Sequence, residues 1–142
     1  KKRSFLFYLS KETLKRSNFK YAKIGNIINL EKSISHGDKI SGHYVQGHVD
    51  TTAIVKNIKI VEKSWIVDLK LSNKDLLKYI IEKASISING VSLTVSKVTN
   101  SYFQICIIPH TLKLTNLIKL KSKSVVNIEL DIFSKYVLNI SK

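Results

Sequence analysis

Apolar and polar positions alternate over several short stretches of this chain, and the spacing of those stretches already suggests an architecture. Residues 49–61 and 65–71 are rich in β-branched side chains with partial alternation, the pattern of two strands. Residues 85–88 read Ser-Ile-Ser-Ile, Asn89-Gly90 supplies a dipeptide suited to φ > 0, and 91–98 alternate again, so a hairpin is expected. A fifth strand is expected over 102–108, ended by Pro109, and a sixth over 125–130. Between strands, Ser72-Asn73-Lys74-Asp75 offers a cap for a short helix running through Leu76, Leu77 and Ile80, and residues 111–117 suit one or two helical turns. Phe133, Val137 and Ile140 recur at i, i+4 and i+7, which predicts a short amphipathic helix. Short strands, hairpin turns and few helices imply an all-β fold, an antiparallel Greek-key barrel.

The chain also matches itself. A shift of 98 residues lays 5–31 on 103–129 without a gap: Thr13-Leu14-Lys15 falls on Thr111-Leu112-Lys113, and Asn29-Leu30-Glu31 on Asn127-Ile128-Glu129. Shared bias toward Lys and Asn explains single matches but not a triplet and a strand pattern in one register. One complete copy is therefore expected over 41–131, residues 1–40 retain only the last part of another copy, and 132–142 form the terminal helix. The chain holds no Met, and the front half of the first copy is expected to be missing.

Composition narrows the class. At 142 residues and 44% hydrophobic, the chain can bury a core and is too apolar for a disordered tail. Lys interrupts every Ile-rich run, so no membrane helix is expected, and the basic, apolar opening lacks a small-residue cleavage site, so export is not expected. A single cysteine excludes an intrachain disulfide and fits a reducing, cytoplasmic setting. The formal charge of +14 comes almost wholly from Lys spread along the chain, the signature of biased coding more than of a binding face. A barrel that grips single-stranded nucleic acid would interleave aromatics with cations on one strand face. Tyr8, Tyr44, Trp65, Tyr79 and Tyr102 fall instead in separate elements.

Three polar constellations could carry chemistry. In Gly42-His43-Tyr44-Val45-Gln46-Gly47-His48-Val49-Asp50, two histidines five apart on an extended segment face opposite ways and cannot chelate one metal as an i, i+2 pair would. Two glycines beside them suggest close backbone approach and favour a site at His48. In Asn89-Gly90-Val91-Ser92-Leu93-Thr94, Ser92 and Thr94 share one strand face. On the interior face of a small barrel each hydroxyl would need a partner, either backbone or a heteroaromatic ligand with imide and carbonyl edges, and that is the face expected for them. In Ile107-Ile108-Pro109-His110-Thr111-Leu112 a strand ends as a helix begins, and its counterpart is Leu9-Ser10-Lys11-Glu12-Thr13-Leu14, with Thr111 and Thr13 as expected caps.

Taken together and in order, these motifs, with Val126-Asn127-Ile128-Glu129-Leu130-Asp131, resemble riboflavin synthase, a trimeric family built from two homologous Greek-key barrels. The resemblance implies a dismutation that uses no cofactor or metal: two molecules of 6,7-dimethyl-8-ribityllumazine exchange a four-carbon unit, giving riboflavin and a diaminopyrimidine. It implies one pocket formed by Lys83, Ser92, Leu93, Thr94 and the strand end Cys106, Ile107, Ile108, Pro109, His110 and Thr111. A second is implied at Tyr8, Leu9, Ser10, Lys11, Glu12 and Thr13, edged by Gly47, His48 and Val49. His43, His48, Ser92, Thr94 and Asp131 resemble family positions tied to proton transfer or to holding the reacting geometry. Homotrimers and a cytoplasmic setting are implied as well, with no membrane and no nucleic acid as partner. The sequence departs from the family pattern at Asn89, where an acid is common, and at Tyr8, where a short acid is expected; the Asn-Gly-x-Cys-Leu-Thr segment of the first barrel has no counterpart. A non-catalytic relative that carries lumazine or a flavin would share the same barrel and is the competing reading.

Overall fold

A computed structural model describes residues 4–140. Six strands, β1 (Thr51–Val61), β2 (Ser64–Leu71), β3 (Ser85–Ile88), β4 (Val91–Val98), β5 (Phe103–Ile107) and β6 (Val125–Leu130), close into one barrel. Every strand pair is antiparallel, in the order β1-β2-β5-β4-β3-β6. β3, β4 and β5 are joined as hairpins, and β5 lies beside β2, so β2 to β5 form a Greek key that β6 seals against β1. Closure leaves no free strand edge in the barrel. Registers slip between Val55 and Asn57 on β1 and between Val95 and Lys97 on β4, the bulges that let short strands bend around a barrel.

Period-two alternation fills the interior. Val55, Val67, Leu69, Ile86, Ile88, Val95, Phe103, Ile105, Ile107, Val126 and Ile128 are all nearly or fully buried, and Ile80, Leu112 and Leu117 from the connecting segments join the same core. The expected Asn89-Gly90 turn is present with both residues at positive φ, +49° and +80°. Asn73 caps a 3₁₀ helix over Lys74–Tyr79 by accepting from the Asp75 amide, as Ser72-Asn73-Lys74-Asp75 suggested.

The segment before the barrel carries helix α1 (Lys11–Arg16) and a 3₁₀ turn (Asn18–Tyr21); α2 (Pro109–Leu114) and a second 3₁₀ turn (Asn116–Lys119) follow β5. The bounds of the two pairs differ by 98 residues, the offset of the sequence match. Their caps are not the expected threonines. Ser10 caps α1 by accepting from the Thr13 amide, whereas Ile108 precedes α2 with no side-chain cap, because its apolar side chain has no acceptor to offer; Pro109 at the first helical position fits the helix start. Helix α3 (Ile132–Ile140) closes the described chain, and Asp131 caps it by accepting from the Phe133 amide.

Four asparagines bind the leading segment to the barrel reciprocally. The Asn18 amide donates to Asn127 Oδ1 (2.6 Å) and the Asn116 amide to Asn29 Oδ1 (2.7 Å); Asn18 Nδ2 donates to the Val125 carbonyl and Asn116 Nδ2 to that of Ile27. Adding 98 to each leading-segment residue exchanges the two sets, the contact pattern of a two-fold interface. Asn29 Nδ2 also reaches the Asn89 carbonyl. Asn29→Ala removes three side-chain bonds at once. It should free residues 22–34 to proteolysis, at a local cost of about 1–3 kcal/mol, while barrel amides stay protected in hydrogen exchange.

Candidate functional site

β4 sets the geometry of the site. Leu93 and Val95 point into the core, so Ser92 and Thr94 stand on the outer face of the barrel, not the interior that the sequence pattern suggested. The barrel is too small to hold both hydroxyls and a packed core, and the alternation gives the interior to the larger apolar side chains. On that outer face Ser85 lies opposite Thr94 and Ser87 opposite Ser92, so four hydroxyl side chains adjoin one another. Cys106 and Gln104 continue the face onto β5, where Gln104 bridges Ser96 and Asp68. Lys83, at φ +68°, donates its amide to the Val95 carbonyl, which ties its turn to β4 beside Thr94. Leu93 and Ile107 belong to the core, so their side chains are not available to a ligand on this face.

His43 Nδ1 lies 2.7 Å from Ser92 Oγ, and its Nε2 is buried without a hydrogen-bond partner. The approach depends on Gly42: at φ +95°, a Cβ there would fall 2.6 Å from Ser92 Oγ and 2.8 Å from Ser92 Cβ. Farther along, Glu129 accepts the amides of Gln46 (2.8 Å) and Gly47 (3.0 Å). Asp50 accepts the Leu130 amide and, at 2.7 Å, Lys135 Nζ of α3. The segment between the histidines therefore rests on β6. Val49 is half-buried, His48 is exposed, and a Cβ at Gly47 would meet open space.

The other expected residues scatter. Ile108, Pro109 and His110 are exposed beyond β5, and Thr111 is half-buried with its carbonyl bonded to the Thr115 hydroxyl. Asp131 serves as the α3 cap, with its carboxylate turned to the helix backbone. Tyr8, Leu9, Lys11, Glu12 and Thr13 are exposed, Ser10 less so, and none of the six hydrogen-bonds to the barrel among the described residues. Glu12 is engaged by Arg16, whose hydrogen bond and charge hold its carboxyl below the usual range. No described group of three His, Cys, Asp or Glu side chains could hold a metal ion. No described helix is long and apolar enough to cross a membrane.

Two clefts lie between the leading segment and the barrel. One, of about 870 Å³, is walled by Asn18, Asn29, Asn89, Asn116, Asn127 and Glu129 among others; a second, of about 670 Å³, includes Ser92, Ser41, Glu31 and Lys113. The hydrophobic pattern of the sequence does not single out the asparagines or Glu129. The signal that could have found them is the register itself, which pairs Asn18 with Asn116, Asn29 with Asn127 and Glu31 with Glu129.

Comparison with known proteins decides the family. Residues 46–131 match the Lumazine binding domain. The chain belongs to that family. This lumazine-binding domain chain is 43% identical over 126 residues to the riboflavin synthase of Actinobacillus pleuropneumoniae, an alignment that covers 89% of the chain and 58% of the relative. Among solved structures it superposes on LumP complexed with riboflavin, with TM-score 0.75 and 30% identity, over 84% of this chain and 64% of that one. LumP complexed with 6,7-dimethyl-8-(1′-D-ribityl) lumazine gives TM-score 0.72 and 25% identity, over 84% of this chain and 64% of that one. The lumazine-binding chain thus spans about three fifths of the length of these proteins.

Proposed function

We propose that this chain is a ligand-holding part of a riboflavin synthase. It binds one 6,7-dimethyl-8-ribityllumazine against the outer face of β4 and β5, through Ser92, Thr94, Lys83, Cys106 and the 108–111 corner. His43 lies against Ser92, and His43 and His48 serve to move protons. The observation that carries the reading is the His43–Ser92 pair with its unpartnered Nε2. In either tautomer Nδ1 is occupied by the serine hydroxyl, so Nε2 is left to give or take a hydrogen bond, and imidazole is the side chain suited to proton transfer near neutral pH. With a second lumazine stacked on the first, one molecule passes a four-carbon unit to the other, yielding riboflavin and 5-amino-6-ribitylamino-pyrimidinedione. Positioning two identical substrates supplies much of such catalysis, so the reaction needs a second lumazine-binding barrel, and the described residues form one. Phe133, Tyr136 and Ile140 on the outer side of α3 are exposed and apolar, which supports assembly into homotrimers, and the lone Cys106 supports a cytoplasmic setting.

Titrating the purified chain with 6,7-dimethyl-8-ribityllumazine, followed by its fluorescence, should show weak binding at one site per chain and no riboflavin above background. Thr94→Val, which keeps the shape and deletes the hydroxyl, should weaken binding by about 1–2 kcal/mol with no change in the melt. No binding, or unchanged affinity in Thr94→Val, would refute the ligand face; sustained riboflavin production would refute the need for a second barrel. The likeness to LumP complexed with riboflavin favours a second reading, a non-catalytic lumazine or flavin carrier. That reading predicts no riboflavin formation even when a second homologous barrel is supplied.

A further inference from the structure

Glu129 is the only charged side chain among the buried residues described, 7% exposed, and no cation among the described residues pairs with it. A buried carboxylate is costly unless hydrogen bonds compensate it. Here each oxygen accepts one of two consecutive backbone amides, Gln46 to Oε1 and Gly47 to Oε2. Those amides belong to a stretch with no regular secondary structure, so β6 spends a buried charge on fixing a loop. His43 lies three residues before the gripped pair, with Nδ1 2.7 Å from Ser92 Oγ, and His48 follows it directly. Glu31 stands 98 residues earlier at the matching place, is exposed, and makes no hydrogen bond among the described residues. Burial of the acid is thus tied to the loop lying on it and is not a property of the Asn-x-Glu pattern alone.

We propose that Glu129 is a positioning residue of the site: by clamping the Gln46 and Gly47 amides it holds the 42–50 loop in the register that brings His43 to Ser92. Its effect on ligand affinity rests on the lumazine reading above; its effect on His43 does not.

The test uses the full chain with ¹⁵N-labelled histidine. Ser92→Ala, which deletes the hydroxyl, defines the His43 ring signals of the broken pair. Glu129→Gln keeps the volume but turns an NH₂ toward one of the two amides, so His43 should shift to the Ser92→Ala position, and lumazine should bind about tenfold more weakly. Gln46→Pro removes one of the clamped N–H groups from the loop side, outside the strands, and should move the same signals; Gln46→Ala keeps the N–H and should leave them in place. If Glu129→Gln does not fold, Gln46→Pro decides. Unmoved His43 signals in a folded Glu129→Gln, or in Gln46→Pro when Glu129→Gln does not fold, would overturn the proposal. If the signals move but the unaltered chain binds no lumazine, the clamp stands and the ligand reading falls.

Discussion

Phe103→Ala is expected to lower stability by about 3–5 kcal/mol, the cost of emptying a large site in a packed core. Phe103 opens β5, is fully buried, and lies opposite Leu69 on β2 and Val98 on β4, so truncation leaves a void between neighbouring walls of a closed barrel. A closed sheet cannot collapse around such a void without breaking its own ladder. The sole cysteine is free, so no disulfide limits the loss. Against a total of about 5–15 kcal/mol for a typical domain, the melting midpoint should fall by roughly 10–25 °C. Phe5 supplies an internal control. It occupies the matching position 98 residues earlier, yet it is 75% exposed, so Phe5→Ala should change stability by no more than about 0.5 kcal/mol. Thermal melts followed by circular dichroism measure both. Equal shifts in the two variants would mean that Phe5 is buried in solution, which contradicts the described packing.

The contrast between Phe103 and Phe5 shows how far local pattern carries. Alternation in 85–98 and the Asn89-Gly90 turn were legible because a hairpin is specified by neighbours in sequence, and the strands appear within a residue or two of where spacing placed them. Phe5 has the same local signal as Phe103, but burial depends on partners far along the chain, and the described residues give Phe5 no strand to pair with. The direction of Ser92 and Thr94 failed for a related reason. Period two shows that they share a face, but which face is interior depends on the volume of all six strands, and there Leu93 and Val95 win. Glu129 and the asparagines escape a pattern-based reading because polar residues in a strand ordinarily face water. Their meaning emerges only when a second segment covers that face, and the 98-residue register was the one clue to it.

Gly42→Ala should cost about 2–5 kcal/mol and separate His43 from Ser92. Part of that cost is local: at φ +95° a side chain is strained, by about 1–2 kcal/mol. The rest is contact. The new methyl would lie 2.6 Å from Ser92 Oγ and 2.8 Å from Ser92 Cβ, so β4 or the loop must shift, at about 1–3 kcal/mol. A double-mutant cycle separates the two contributions. Ser92→Gly removes both atoms that the methyl meets, so in that background Gly42→Ala should keep the cost of its backbone and lose the cost of the clash, with a coupling of about 1–3 kcal/mol. Denaturant melts of the four proteins give the coupling. Strict additivity would show that the loop does not lie against Ser92 in solution, and the His43–Ser92 pair would then lose its structural basis. A clear coupling, together with weaker lumazine binding in Gly42→Ala alone, would place the loop, the serine and the ligand face in one unit. It would also explain why the segment before His43 carries the one residue type with no Cβ.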